Sequence, residues 1–124
     1  MNKNINIEET FALAVENHKN KNFQVAKDLY KKILEINRNS AGVYYNLGIL
    51  YKEIEKYQKA TDCYEKAIQV NPNYTLAYIN LGIMFKELGE LKKAINLFQK
   101  AINIQPDYAD AHNHLGLAFK KIGE

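Results

Sequence analysis

Residues 75–108 repeat residues 41–74: 14 of the 34 aligned positions are identical, and Tyr44-x-Asn46-Leu47-Gly48-x-x-Tyr51 returns as Tyr78-x-Asn80-Leu81-Gly82-x-x-Phe85. The identities fall on small, aromatic and proline positions, which govern how closely helices approach. A chain built on so short a period cannot bury a core within one copy and must do so between stacked neighbours.

The pattern inside one period is helical. Tyr78, Leu81, Gly82, Phe85 and Leu88 recur at three- and four-residue steps, and Leu91, Ala94, Phe98, Ala101 and Ile102 resume on a new phase. Gly89 marks the break, where a glycine can take the left-handed conformation that ends a helix. Pro106 biases Gln105 away from helical dihedrals and ends the second helix near Ile104. Each unit is therefore a helical hairpin. The reading predicts helices at 8–20, 23–36, 41–54, 57–70, 75–88, 91–104 and 109–122.

Gly48, Gly82 and Gly116 lie inside helices, where glycine costs about 1 kcal/mol against alanine, so each marks a close approach of helices. Tyr64 and Phe98 from the second helices, and Tyr51 and Phe85 from the first, fill the space beside small residues. Residues 7–40 form an atypical first copy, with Ala14 at the glycine position and Arg38 in place of the proline. Leu13, Phe23, Ala26 and Tyr30 keep the core phase there. Residues 109–124 match 75–90 at Ala111, Leu115, Gly116, Phe119, Lys120, Gly123 and Glu124, so a fourth copy is present as its first helix.

This period and pattern resemble the tetratricopeptide repeat family. The resemblance implies an all-α, right-handed superhelical solenoid of antiparallel hairpins with about seven helices, read here as one domain over 1–124 with repeats 7–40, 41–74, 75–108 and a half repeat 109–124. It further implies that the first helices line a concave face that binds another polypeptide. Counting from 7, 41, 75 and 109, the fifth positions are Phe11, Tyr45, Ile79 and Asn113, and the ninth are Val15, Ile49, Ile83 and Leu117. The sixth are Ala12, Asn46, Asn80 and His114, and the twelfth are His18, Lys52, Lys86 and Lys120. Tyr45, Asn46, Ile49, Lys52, Ile79, Asn80, Ile83, Lys86, His114 and Leu117 are thus the expected peptide-binding residues. The groove would be apolar, with an amide ladder for a peptide backbone and a basic edge. In chaperone-adaptor members a carboxylate clamp of Lys, Asn and Arg holds a heat-shock chaperone tail. The matching places here are Phe11, Val15, Asn46, Leu76 and Asn80, of which only Asn46 agrees, so such tails are not expected to bind.

Other function classes find little support. Sixteen of the 17 basic residues are lysine, and at a net charge of +3 they are interleaved with glutamate, which argues against a nucleic-acid surface. Cys63 stands alone, His18, His112 and His114 lack metal-ligand spacing, and no phosphate loop occurs, so neither cofactor, metal nor enzyme activity is expected. No run approaches the ~20 apolar residues of a membrane span, and the start lacks a secretory pattern, which makes a cytoplasmic protein the default expectation. Two further readings stay open. The chain could be the recognition arm of a larger enzyme, such as a glycosyl- or methyltransferase. Alternatively, Leu115, Ala118, Phe119 and Ile122 on the uncovered last helix could drive self-association, giving a homo-oligomer or a structural assembly.

Overall fold

The structure is a computed structural model that describes residues 6–124. Those residues form seven α-helices and no strand: α1 (Ile7–Lys19), α2 (Phe23–Ile36), α3 (Ala41–Glu53), α4 (Tyr57–Val70), α5 (Thr75–Glu87), α6 (Leu91–Ile104) and α7 (Ala109–Ile122). Every helix predicted from the repeat is present. The odd-numbered helices α1, α3 and α5 end one residue earlier than predicted, because His18, Lys52 and Lys86 carbonyls accept from the residue that turns the chain.

That turn is the same three times over. Lys21, Glu55 and Gly89, spaced by 34 residues, have φ of 64°, 62° and 85°. The residue after each closes a bond back across the helix end: Asn22 N to Asn17 O, Lys56 N to Tyr51 O and Glu90 N to Phe85 O, all 2.8 Å. This is a Schellman ending, which satisfies carbonyls that a helix terminus would otherwise leave unpaired. Only the third copy uses glycine; Lys21 and Glu55 hold the left-handed conformation despite their Cβ atoms. At the start of α1, Asn6 Oδ1 accepts from the Glu9 backbone N–H at 3.0 Å, a side-chain cap.

The chain falls into two compact units, one running to Val70 and the other from Asn71 to Glu124. In the first, α1 pairs with α2, α3 with α4, and α2 also meets α3. In the second, α5 pairs with α6, α7 packs on α6, and α5 touches α7.

The pairing within a hairpin depends on a ring laid on a glycine. A Cβ built on Gly48 would stand 2.7 Å from the Tyr64 ring, and one on Gly82 would stand 2.7 Å from the Phe98 ring. Both rings are almost wholly buried, at 1% and 0% exposure. In the first hairpin Ala14 and Tyr30 take these places, both at 0%. Gly116, at the equivalent place on α7, has no atom within 4 Å of its Cβ direction.

Gly116 therefore does not mark the close helix approach expected of it, and two further sequence expectations need correcting. Leu13 is 53% exposed, although its counterparts Leu47 and Leu81 are buried at 3% and 2%. Leu47 lies on a helix with α2 behind it and α4 beside it, whereas no described helix precedes α1. Ala118 is 0% exposed. It lies seven residues after the buried Ala111, so both occupy the face of α7 turned to the core of the second unit. It cannot form part of an outward stripe.

The glycines therefore separate by environment. Gly82→Leu should destabilise the second unit by roughly 2–3 kcal/mol through overpacking against Phe98. Gly116→Ala should stabilise it by up to about 1 kcal/mol through helix propensity alone. Urea denaturation measures both, and equal losses at the two sites would contradict this packing.

Candidate functional site

The faces expected to carry ligand are formed by α1 and α3 in the first unit and by α5 and α7 in the second. The fifth-position row does not belong to them. Its members on α1, α3 and α5 lie three residues before Ala14 or the glycine and share the face that meets the second helix, whereas Asn113 on α7 is exposed. Accordingly the Phe11 ring is 6.1 Å from Tyr30, and Tyr45 is 6.1 Å from Tyr64 at 54°. Ile79 is 3% exposed inside the cluster of Phe98, Ala94 and Ala101. Ile79 is a core residue and is removed from the ligand-facing set; Tyr45 is half-buried, leaning on α4.

The amide row is also committed in part. Asn46 Nδ2 donates to the Gly42 carbonyl at 2.8 Å, one turn back on its own helix. A peptide backbone could be offered what remains, the second amide N–H and the amide oxygen. Asn80 is half-buried at the equivalent place on α5.

In the first unit a hollow of about 260 Å³ is lined by Val15, His18, Lys19, Lys21, Asn46 and Glu53. His18 anchors it. Its Nε2 pairs with the Glu53 carboxylate, and its Nδ1 lies 3.4 Å from the Tyr30 hydroxyl. One arrangement satisfies all three groups: the phenol donates to Nδ1, and Nε2–H donates to Glu53. Burial, with Glu53 adding to it, pushes the Tyr30 phenol up to about 12. The pair ties α1 to α3 across 35 residues of sequence and sets a carboxylate beside the place where the basic row was expected to begin. Ile49 and Lys52 are half-buried on the same helix as Asn46.

The second unit differs. A cleft of about 470 Å³ between the end of α5 and the outer turns of α7 is lined by Lys86, Glu87, Gly89, Leu117, Lys120, Lys121 and Glu124. Its floor is apolar at Leu117, which is 53% exposed. Lys86 Nζ donates to His114 Nδ1 at 3.1 Å, which requires the imidazole to carry its proton on Nε2. The ring itself stacks on Phe98 at 5.5 Å and 19°. Burial, and then the Lys86 ammonium, hold the His114 pKa below its ordinary value. Ile83 is half-buried against the core nearby. The structure thus brings together Lys86, His114 and Leu117 as the sequence anticipated, and adds Lys121 and Glu87, which lie outside the counted rows.

The remaining chemistry-bearing groups stand apart. Burial, with Asp62 beside it, pushes the Cys63 thiol up to about 11, so at neutral pH it is protonated and a poor nucleophile. His112 Nε2 donates to the Pro106 carbonyl and fastens the turn before α7. Among the described residues no three His, Cys, Asp or Glu side chains cluster as a metal site, and no helix is long and apolar enough to cross a membrane.

Comparison with known families matches the Tetratricopeptide repeat models at 41–74 and 63–96 and a TPR repeat model at 82–123. Among solved structures, a crystal structure of MamA is 32% identical over 95% of this chain and 69% of its own, with a TM-score of 0.86. The chain belongs to the tetratricopeptide repeat family. Its fold is the all-α solenoid of that family. A second MamA structure is also 32% identical, covers 95% of this chain and 64% of its own, and has a TM-score of 0.84. Two more distant TPR structures share the fold. The first TPR of Spaghetti (RPAP3) bound to HSP90 peptide SRMEEVD is 19% identical over 95% and 94% of the two chains, and the Sgt2 TPR domain from Aspergillus fumigatus is 22% identical over 95% and 80%, each with a TM-score of 0.86. Comparison with curated protein sequences gives no match.

The depressed His114 pKa links this site to stability. The folded state holds the neutral ring while the unfolded chain takes up a proton near 6.5, so the contribution is complete above that pH and is lost as pH falls through the lower folded-state value. Thermal melts across about pH 5–8 should show the midpoint of the second unit falling on the acid side. In His114→Gln that part of the slope should vanish, and an unchanged slope would contradict the assignment.

Proposed function

We propose that this TPR chain is a non-catalytic interaction scaffold that holds an extended segment of a partner protein on the α5–α7 face. The cleft of about 470 Å³ carries the reading: an exposed leucine floor ringed by Lys86, Lys120 and Lys121 suits an apolar side chain flanked by carboxylates. Glu87 and Glu124 share the rim, which limits the excess of positive charge and disfavours a bare polyanion. Affinity comes from covering Leu117 and Ile83, whereas the lysines steer and orient. Asn80 lies one turn before Ile83 on α5, at the row position that would meet the backbone of the segment.

Membership of the family supports a scaffold role. The HSP90 peptide held by the Spaghetti domain is that protein's ligand. Here Asn46 alone matches the clamp, and Ile79 beside Asn80 is core, so we propose that heat-shock tails do not bind this face.

Selection from a displayed random-peptide library, followed by amide shift mapping, tests the proposal. Enriched peptides should pair an apolar residue with Asp or Glu and perturb Ile83, Lys86, His114 and Leu117. Lys86→Ala/Lys120→Ala should weaken the chosen peptide roughly tenfold, and raising salt from about 50 to 300 mM should weaken it several-fold. Enrichment without acidic residues, or perturbations confined to α4 and α6, would overturn it.

A further inference from the structure

The hollow on α1 and α3 and the cleft on α5 and α7 occupy the same place in the repeat, two periods apart. His18, Lys21 and Glu53 line the first, and Lys86, Gly89 and Lys121 stand in their places around the second. In the first, the twelfth residue of one repeat meets the thirteenth of the next, and His18 Nε2 pairs with the Glu53 carboxylate. In the second the same two places hold Lys86 and Lys121. A cation therefore stands where the carboxylate of the pair would be. The helices that carry the two lysines touch one another, so the exchange belongs to a formed joint.

Two like charges around one gap leave it short of an anion. Among the described residues, neither ammonium has a carboxylate within ion-pair distance. Glu87 follows Lys86 on the same helix, at the place of Lys19, and does not oppose it across the joint. Lys86 is held from behind: one N–H goes to His114 Nδ1 at 3.1 Å, and the His114 ring is stacked on Phe98. Two N–H groups of Lys86 and those of the exposed Lys121 remain for an acceptor.

We infer that Lys86 and Lys121 form a seat for one acidic side chain, Asp or Glu, of the segment held on the α5–α7 face, and that this side chain supplies between α5 and α7 the carboxylate that Glu53 supplies between α1 and α3. The seat rests on the groove proposed above and names the group on the partner that fixes its register there. Glu53 reaches its place sideways from a continuing backbone, and an acidic side chain reproduces that approach. A free C-terminal carboxylate is the competing outcome of the test.

The pairing is tested first within the chain. Lys121→Glu puts the missing carboxylate in place, so it should raise the melting midpoint above that of Lys121→Gln, and the gain should disappear when Lys86→Gln is added. The double cycle cancels the effect of charge at the α7 C-terminus. Lys121→Glu should also raise the pH at which the His114 ring titrates by NMR. The charges facing that ring are Lys86 and Glu87 on α5 and Asp110 on α7, while α6 meets it with the uncharged Phe98 ring.

Binding is read with end-blocked peptides that pair Leu with one Glu at spacings of one to four residues, titrated into the full chain. At the best spacing, Gln in place of the peptide's Glu, or Lys121→Gln in the chain, should each weaken binding about three- to fivefold, and the two together little more than either alone. Lys121→Glu should remove the preference for Glu over Gln. Peptides that bind the original chain and Lys121→Gln equally, or a stability cycle without coupling, would overturn the seat and leave the groove standing. A Gln peptide with a free C-terminus that matches the blocked Glu peptide would assign the gap to chain ends and overturn it too. No binding by any peptide would sink the groove and the seat together.

Discussion

A buried aromatic ring resting on a helical glycine is the contact on which the rest of this chain depends. Glycine inside a helix gives up about 1 kcal/mol of propensity, and the loss is offset because the absent Cβ lets the two helices of a hairpin close on a Tyr or Phe. Once Tyr64 lies on Gly48 and Phe98 on Gly82, the phase of those two hairpins is set, and Tyr30 with Ala14 takes the same places in the first. Residues three before the glycine then turn inward with it, and residues one beyond it turn toward the face proposed to hold a ligand. The Schellman turns at Lys21, Glu55 and Gly89 deliver the second helix to the same place each time.

On that repeated backbone the two units carry different chemistry at equivalent positions. The twelfth place is His18 in one unit, paired with Glu53 and buried tyrosine, and Lys86 in the other, donating to His114. The first arrangement is closed, with each polar group satisfied by a neighbour. The second leaves lysines around an exposed leucine, and this is why the α5–α7 cleft stands forward as the place where a ligand would gain most. Interaction modules of this kind vary function through side chains and keep the joint constant.

Helix limits, turn positions and the glycine joints were legible because they depend on residues near one another in sequence. The single displaced residue at the ends of α1, α3 and α5 reflects the shared turn geometry, in which the left-handed residue bonds back to the carbonyl three before it whether it is Lys21, Glu55 or Gly89. Site residues were less legible. Counting rows treats the fifth position as outward, whereas its three-residue offset from glycine turns Ile79 into the core. Ala118 was misassigned for the same reason, one helical face being taken for its neighbour. The His18–Glu53 and Lys86–His114 pairs join unlike positions 35 and 28 residues apart, and no local pattern encodes such partners. Leu117, exposed and apolar at a ninth position, could be found by the count alone.

A double-mutant cycle between Gly82 and Phe98 addresses the central claim most directly. Unfolding free energies would be measured for the original chain, Gly82→Ala, Phe98→Leu and the pair. If the ring on the glycine sets the hairpin, the flexible leucine should relieve the clash of the added methyl, and the two changes should couple by roughly 1 kcal/mol or more. Strict additivity would mean that the ring and the glycine do not depend on each other, and would contradict the account.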